Sequence, residues 1–396
     1  MSRVLFLYER DMPTVSITRT QFINLSFKYN FNVGFQYITE ITPKNIDETD
    51  ILVLIRPNDV LSWRIAKKAC AAGCTVAVLC DDDLLNLPAD TATVPWRKAG
   101  LKRTLQNAHA VISSSQYIRE KYSCLTIDKR KVRIDTVVTP EEVQRARELL
   151  KRPKKDSVKI VYAGAPSHVA LFDRYIRPVI PELIARYGKG ISFTFVGVRP
   201  DLSEFEEKTD ITYVNGMPLA EYRKYMSEQN FDVGLAPLNN DNFSKCKYFN
   251  KFLEYSLQGV VGVYSNLEPY TYVVRHQENG FLTDNGADNW LNALEEAIDD
   301  QQQRQCCLGN ALNLLEQKFT EEQIFAQLLE DLPELHCYKK SGSPCKGWGV
   351  GKLIYWLSRP FDLMYLSWFQ LSTSGVNGFI QKIKTHLRER NAYKRK

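Results

Sequence analysis

The feature that most constrains the fold of this chain of 396 residues is a repeated alternation of short apolar runs with amphipathic stretches. Runs that are apolar on both faces are typical of buried strands in a parallel sheet. Such runs lie at Arg3–Tyr8, Val33–Ile38, Ile51–Ile55, Thr75–Cys80, Ala110–Ser113 and Val132–Val138. Helical periodicity separates them at Ser16–Tyr29, Leu61–Ala72 and Trp96–Asn107. This order predicts a doubly wound α/β fold.

A cluster of proline and charged residues at 151–156 follows the predicted helix Pro140–Leu150 and is typical of a domain linker. The alternation then restarts, with predicted strands at Lys159–Tyr162, Ser192–Val196, Ile211–Val214, Val233–Ala236 and Val260–Tyr264. Predicted helices accompany them at Phe172–Tyr187, Leu219–Gln229, Tyr248–Gln258, Asn289–Asp300, Gln302–Gln317 and Thr320–Leu332. We therefore expect two Rossmann-like domains, residues 1–150 and 151–334, facing each other across a cleft, and a helical tail, residues 335–396.

Charge divides the chain into a body and a tail. The formal net charge is +6, but the residues from Leu335 onward contain 12 Lys and Arg against 2 Asp and Glu, a balance of +10. The preceding residues therefore carry a net charge of −4. Because the positive charge is localised, a basic coat that binds nucleic acid over the whole surface is excluded.

The amino terminus and the cysteines predict a cytoplasmic protein. The apolar run Val4–Tyr8 is too short for the core of a signal peptide. Nine scattered cysteines, an odd number, are typical of reduced thiols, and their spacing lacks partners for a zinc site. No uninterrupted apolar stretch is long enough to span a bilayer.

Two motifs in the second domain could bind a phosphorylated ligand. The loop Tyr162–His168 has small residues that let backbone amides approach a phosphate, and the next helix would present its positive end. The same loop is also compatible with an ordinary strand-to-helix turn.

The second motif is a charged helix face. Lys247, Lys251 and Glu254 lie at i, i+4 and i+7, so they share one face of the predicted helix. The cations could neutralise phosphates, and the carboxylate could accept hydrogen bonds from both hydroxyls of a ribose. A solvated charged face is the alternative, but the neighbouring Phe252 and Leu257 favour a partly buried helix.

These motifs resemble those of bacterial GT-B glycosyltransferases in the retaining, glycogen-synthase-like superfamily (group 1, family 4), which build surface polysaccharide or lipid-linked saccharide. The donor-domain motifs are matched at Gly164–His168, Ala236–Leu238, Lys247–Tyr255, Gly259 and Asn279–Gly280. In the first half, Cys80–Leu85 and Ala108–Ser115 resemble an Asp-Asp loop and a strand of that family. The resemblance covers about residues 1–330.

The resemblance implies a hexosyltransferase of polysaccharide biosynthesis. It would transfer a sugar from a nucleotide diphosphate sugar to a saccharide or lipid-linked acceptor, with retention of configuration and without a metal or a further cofactor. Glu254 would hold the ribose, and Lys247 and Lys251 would lie near the phosphates. The phosphate and sugar side of the cleft would be lined by Gly164, Ser167 and His168. The catalytic assignments are His168, Lys247 and Lys251.

One departure from the family pattern lies at Cys246, where the family often has a first glutamate. A thiol cannot accept hydrogen bonds from a hexose as a carboxylate does, so Lys245 or Lys247 is assigned part of that task. The departure also favours an alternative, a non-enzymatic GT-B-fold scaffold that has lost donor binding.

The three aspartates Asp81, Asp82 and Asp83 follow a predicted strand. They could hold a divalent metal, as the Asp-x-Asp motif of single-domain glycosyltransferases does. Their position at the fourth strand of the first domain favours an acceptor-side or structural loop instead.

The tail combines aromatic and basic residues. Apolar side chains recur at three- and four-residue steps from Ile354 to Trp368, and basic residues alternate with apolar ones from Phe379 to Arg390. This pattern predicts an interfacial anchor on an anionic membrane, at the inner face of the cell membrane. Two alternatives remain open: the aromatic run packs against the body, or the tail binds nucleic acid, which we do not expect.

Overall fold

The computed structural model describes residues 2–87, 94–151, 157–336, 338, 340–347 and 351–393, without the side chains of residue 377 and residues 379–393. The predicted linker therefore lies outside the described residues, apart from Lys151. Contacts divide the chain into two compact units. Unit 1 comprises the residues up to Ile134 together with those from Phe325 onward, and unit 2 comprises Asp135–Ile324.

Unit 1 is built on a parallel sheet of six strands within the described residues, in the order β2-β1-β3-β4-β5-β6. The strands are β1 (Arg3–Tyr8), β2 (Asn32–Tyr37), β3 (Ile51–Ile55), β4 (Thr75–Leu79), β5 (Ala110–Ser113) and β6 (Arg130–Arg133). The accompanying helices are α1 (Pro13–Tyr29), α2 (Pro43–Asp47), α3 (Ser62–Ala71), α4 (Pro95–Leu105) and α5 (Gln116–Ser123). β3, β4 and β5 are buried along their whole length, as expected for strands covered on both faces.

Unit 2 contains a second parallel sheet, whose six described strands have the order β12-β11-β10-β7-β8-β9. The strands are β7 (Val158–Ala163), β8 (Ile191–Val196), β9 (Asp210–Val214), β10 (Val233–Ala236), β11 (Val261–Ser265) and β12 (Phe281–Thr283). The helices are α6 (Pro140–Leu150), α7 (Val169–Tyr175), α8 (Ile180–Tyr187), α9 (Leu219–Gln229), α10 (Asn242–Lys245), α11 (Asn250–Leu257), α12 (Ala287–Asp299) and α13 (Gln301–Lys318). The α/β class with two doubly wound sheets, predicted from the alternation, is confirmed.

Two helices of the sequence interpretation have different bounds in the structure. The predicted helix Phe172–Tyr187 becomes α7, a short 3₁₀ turn and α8, because Pro178 and Pro181 remove backbone donors. The predicted helix Tyr248–Gln258 begins only at Asn250. Phe249, ahead of it, is buried with a non-helical backbone and packs against Phe319.

The boundary of unit 2 precedes the proline and charge cluster. Val143 and Ala146 of α6 are buried in the same apolar core as Leu253 and Leu315. Leu149 lies so close to Gly259 that a β-carbon there would be 2.8 Å from the leucine side chain. α6 therefore packs as part of unit 2, whereas the sequence interpretation assigned it to the first domain.

The chain returns to unit 1 through α14 (Glu321–Asp331). Phe325 stacks on Tyr29 with 3.7 Å between ring centroids, and Leu328 is buried in the same core. Arg130 donates hydrogen bonds of 2.8 and 3.0 Å to the carboxylate of Glu334. Residues after Phe325 thus complete unit 1. A final helix, α15 (Gly351–Tyr393), follows, with non-helical backbone at Gly375.

We expect Phe325→Ala to destabilise the protein by about 3 kcal/mol, because it removes a buried ring from the core of unit 1. Phe27→Ala is the matched control: Phe27 lies on α1 and is 85% exposed, so its loss should change the stability by less than about 0.5 kcal/mol. Guanidinium unfolding followed by circular dichroism measures both. Equal effects of the two substitutions would show that α14 is not part of the core.

Candidate active site

The candidate site lies at one edge of the unit 2 sheet. β7 has β8 on one side and β10 on the other, so the chain changes direction across the sheet between β7 and β10. All pairs in this sheet are parallel, and the loops after β7 and β10 therefore emerge at the same edge. In open α/β sheets ligands bind in the crevice at such a point.

The loop after β7 depends on two close approaches. A β-carbon on Gly164 would lie 2.5 Å from Nδ1 of His168, so only glycine lets the imidazole pack against this turn. A β-carbon on Gly197 would lie 2.4 Å from the carbonyl oxygen of Gly164, and Gly197 has a φ of +76°. The Tyr162 hydroxyl donates a hydrogen bond of 2.9 Å to the carbonyl of His168. The loop is therefore a fixed platform, on which Ser167 is exposed.

The loop after β10 is held by side chains from other strand ends. The backbone N–H of Leu238 donates to the hydroxyl of Ser265 over 2.8 Å. The Ser265 hydroxyl in turn donates to the side-chain oxygen of Asn285 over 2.7 Å, and the amide of Asn285 donates to the carbonyl of Leu238. This closed set of bonds fixes the path that leads to α10 and α11.

Lys251 and Glu254 form an ion pair on α11. Nζ of Lys251 lies 2.7 Å from Oε2 of Glu254, and both side chains are about a quarter exposed, at 23% and 28%. The ammonium also lies 5.4 Å from the ring centroids of Tyr222 and Tyr255. Burial alone would lower the pKa of Lys251, but the charges and hydrogen bonds of Glu254 and Tyr222 together outweigh burial and raise that pKa. Lys251 is therefore a cation at neutral pH.

His168 lies within the electrostatic reach of both site lysines. Burial lowers the pKa of its imidazole, and the positive charges of Lys247 and Lys251 lower it further, from an ordinary value of 6.5. His168 is consequently neutral at pH 7. The fold thus places Lys247 and Lys251 within electrostatic reach of His168, about 80 positions earlier in the sequence.

Lys247 reaches this position in a way that the sequence interpretation did not predict. It lies in the turn between α10 and α11, and not on the same helix as Lys251 and Glu254, so the shared helix face was wrong for this residue. Its ammonium lies 4.2 Å from the ring centroid of Phe243. Lys245 is the last residue of α10, whose first turn is capped by Asp241.

Cys246 faces the interior of unit 2. It is fully buried, and its thiol lies 3.0 Å from the carbonyl oxygen of Asn242. The chain therefore does not present this side chain to a ligand at the sheet edge.

Sequence reasoning missed the tyrosines around Glu254. Burial raises the pKa of Tyr270, and the charge of Glu254 raises it further. Burial also raises the pKa of Tyr222, with opposing contributions from Lys251 and Glu254. Tyr222 is on α9 and Tyr270 follows β11, so no local spacing in the sequence connects either of them to Glu254. They provide a hydroxyl-rich, low-dielectric surrounding for the carboxylate.

In unit 1, each of the three aspartates after β4 is bonded to other side chains of that unit. Arg56 forms ion pairs with Asp81 and Asp82, at 3.0 Å for the latter. Asp83 is buried and accepts hydrogen bonds from Lys121 at 2.6 Å and Tyr122 at 2.9 Å. Among the described residues, no group of three or more His, Cys, Asp or Glu side chains is placed to hold a metal ion.

This architecture is similar to that of several solved structures. No protein-family model and no curated protein matches the chain. Among solved structures, Anabaena HepE in complex with UDP and glucose is 13% identical, with a TM-score of 0.54 over 84% of this chain and 100% of HepE. Sucrose-phosphate synthase from Thermosynechococcus elongatus is 12% identical, with a TM-score of 0.57 over 85% and 99% of the two chains.

The lipopolysaccharide outer core galactosyltransferase WaaB, in its apo form, is 12% identical, with a TM-score of 0.54 over 84% of this chain and 99% of WaaB. At these identities the likeness establishes the architecture and not the activity. The fold class predicted from the sequence, GT-B with two Rossmann-like domains, is confirmed.

We expect Lys247→Gln to raise the pKa of His168, because it removes one of the two cations that disfavour the imidazolium. Lys245→Gln is the matched control, since Lys245 does not contribute to that pKa. NMR titration of the imidazole protons, assigned with His168→Gln, measures both. A shift of equal size in the two variants would contradict the placement of Lys247 beside His168.

Proposed function

We propose that this protein is a glycosyltransferase that transfers a sugar from a nucleotide diphosphate sugar to a saccharide acceptor. The observation that supports the proposal is the electrostatic reach of Lys247 and Lys251 to His168, in loops at the strand ends of unit 2, where ligands of such sheets bind. HepE, which shares the fold, has been crystallised with UDP, with UDP and glucose and with UDP-glucose. A donor based on a nucleoside diphosphate follows from these two points together.

The cations have a direct role in the proposed transfer. The bond between the anomeric carbon and the diphosphate oxygen breaks, with its electron pair passing to the diphosphate. The acceptor oxygen bonds to the anomeric carbon, and its proton is taken up by the departing diphosphate. Lys247 and Lys251 stabilise the negative charge that develops on this leaving group, and they do so in surroundings partly shielded from water. We propose a metal-independent reaction for this reason, with retention of configuration as the resemblance implies.

The other site residues bind and orient the donor. Glu254 has one oxygen bonded to Lys251, and we assign the carboxylate to the hydroxyls of the ribose. The neutral imidazole of His168 can donate or accept a single hydrogen bond at each nitrogen, which suits a sugar hydroxyl or a phosphate oxygen. Gly164 and Ser167 line the same loop, and Lys245 supplies a further cation near the phosphates.

We propose a saccharide that is lipid-linked or part of a cell-surface polysaccharide as the acceptor, on the basis of the charged aromatic tail. Unit 1 is the acceptor domain in this proposal. Arg56 with Asp81 and Asp82 offers donors and acceptors for hydroxyl groups at the strand ends of that unit.

Lys247→Ala is expected to weaken the binding of UDP by about 10- to 100-fold, since a hydrogen bond to a charged group contributes about 1.5–3 kcal/mol. Lys189→Ala is the control, because Lys189 is exposed just before β8, at the opposite edge of the sheet. Calorimetric titration with UDP, after a thermal-shift screen of other nucleoside diphosphates, gives the affinities. If the unaltered protein binds none of them, the non-enzymatic scaffold is correct.

Glu254→Gln tests the ribose contact. The substitution should weaken the binding of UDP by roughly 10-fold and the binding of 2′-deoxy-UDP much less. The reason is that a carboxylate accepts hydrogen bonds from both ribose hydroxyls, whereas an amide has one acceptor oxygen. Glu278→Gln, which changes an exposed glutamate ahead of β12, is the control. The quantity compared is the ratio of the two dissociation constants. An unchanged ratio in Glu254→Gln would remove Glu254 from the nucleotide site.

A further inference from the structure

The first part of α15 is attached to unit 1 through its polar side. Arg97 donates to Glu9 at 2.8 Å and to Asp362 at 2.7 Å. Arg359 lies 2.8 Å from the same glutamate, and the hydroxyl of Tyr355 donates to it over 3.1 Å. Burial alone would raise the pKa of Glu9, but the bond and charge of Arg97, followed by the charge of Arg359, hold it below the ordinary value. These groups form a closed, mutually satisfied ionic cluster, the docking cluster.

The opposite side of the same helix is apolar and exposed. Its side chains lie at the three- and four-residue steps of one helix face, and each is at least 42% exposed. This apolar face consists of Leu353, Trp356, Leu357, Phe361, Leu363, Met364, Trp368 and Leu371. Arg359 and Asp362 lie on the other side, in the docking cluster, and Lys352 precedes the first residue of the apolar face.

The usual orientation of an amphipathic helix is therefore reversed. On a water-soluble protein the apolar side normally faces the core, whereas here the polar side is held inward and the apolar side faces out. The apolar face extends over residues 353–371, about 27 Å along the helix. Contiguous apolar surface of this kind marks a binding surface for a protein or a membrane.

Charge and composition favour a membrane over a second copy of the chain. After Gly375 the sequence contains seven Lys and Arg against one Glu. An anionic bilayer supplies the counter-charge for these residues, whereas a second copy would add the same positive charge. Trp356 and Trp368 are of the type that prefers the headgroup region. Within the described part of the chain, no helix has both the length and the hydropathy needed to cross a bilayer.

The position of α15 relates this surface to the sheet of unit 1. Glu9 directly follows β1, and Arg97 also contacts Asn58, three residues after β3, over 3.4 Å. β1 and β3 are neighbouring parallel strands, with β2 on the far side of β1, so the helix is docked where the strands end and the order of the sheet reverses. A surface held there is adjacent to the edge at which unit 1 would bind an acceptor.

We propose that the apolar face of α15 lies in the interface of a bilayer that contains anionic lipid, and that the docking cluster fixes the orientation of unit 1 on that bilayer. The partner is a lipid surface, and the contact is an insertion of one helix face and not a span. The inference rests on the proposed function in one respect: the lipid-linked acceptor is assumed to lie in this membrane.

The experiment is flotation of the full chain with phosphatidylcholine vesicles, with and without phosphatidylglycerol. The test variant carries Phe361→Glu, Met364→Glu and Trp368→Glu, which place charge on the apolar face at exposed positions. Phe27→Glu, at a still more exposed apolar residue of α1, is the matched control. We expect the unaltered protein and the control to float with the anionic vesicles, and the triple variant to lose at least about 10-fold in partitioning.

A second measurement uses the conservative pair Trp356→Phe and Trp368→Phe, which keeps the face apolar. Brominated lipid should quench tryptophan fluorescence in the unaltered protein, and this quenching should disappear in the pair although flotation persists. Flotation of the triple variant equal to that of the control would overturn the proposal, and would leave the basic segment alone as the membrane contact. The proposal would also be overturned if the unaltered protein did not float and instead formed a dimer that the triple substitution abolished.

The failure of this inference and that of the proposed function are separable. Binding of UDP to the triple variant with unaltered affinity, together with lost flotation, supports both. Flotation without any binding of a nucleotide retains the membrane surface and removes the transferase. Circular dichroism of the triple variant shows whether the fold is retained. If the fold is lost, the quenching measurement on the Trp356→Phe and Trp368→Phe variant tests the membrane contact instead.

Discussion

Parallel pairing of the strands is the constraint on which the rest of this structure depends. In a parallel sheet every strand ends at the same edge, so residues that directly follow strands are collected there regardless of their separation in the sequence. In unit 2 this brings the loop of His168, after β7, to the same edge as the segment of Lys247, after β10. In unit 1 it places Glu9, Arg56 and Asp81 at one edge. The charged side chains of both units are brought to one edge by this arrangement.

The same constraint explains what the sequence could predict. Runs buried on both faces identify parallel strands without any knowledge of their order, and loops after strands are then the positions to search. The later start of α11 could not be predicted, because Phe249, which precedes it, packs against Phe319, 70 residues away. The return of Phe325 to unit 1 could not be predicted either, since helical periodicity identifies a buried face but not its partner.

The two ionic groups differ in exposure. Arg97, Glu9 and Asp362 are 15%, 12% and 5% exposed and satisfy one another, as buried structural ions must. Lys251 and Glu254 are roughly twice as exposed and lie at a strand-end edge, surrounded by tyrosines. A ligand can approach the second group with a moderate loss of solvation, but it could reach the first only by breaking it. Sequence alone does not distinguish them, because both consist of ordinary Lys, Arg, Asp and Glu residues.

The outward orientation of the apolar face of α15 is unfavourable in water. Full burial of a large apolar side chain stabilises a protein by about 1.5–3 kcal/mol, so the exposed face forgoes a substantial gain in water. The ionic cluster that holds the other face inward is weakly stabilising at best, because the desolvation of its members offsets their attraction. In water, the opposite orientation of this helix, with its apolar face inward, would be more stable. Its orientation is explained when the apolar face has an apolar environment to enter, and the cluster then determines which edge of unit 1 faces that environment.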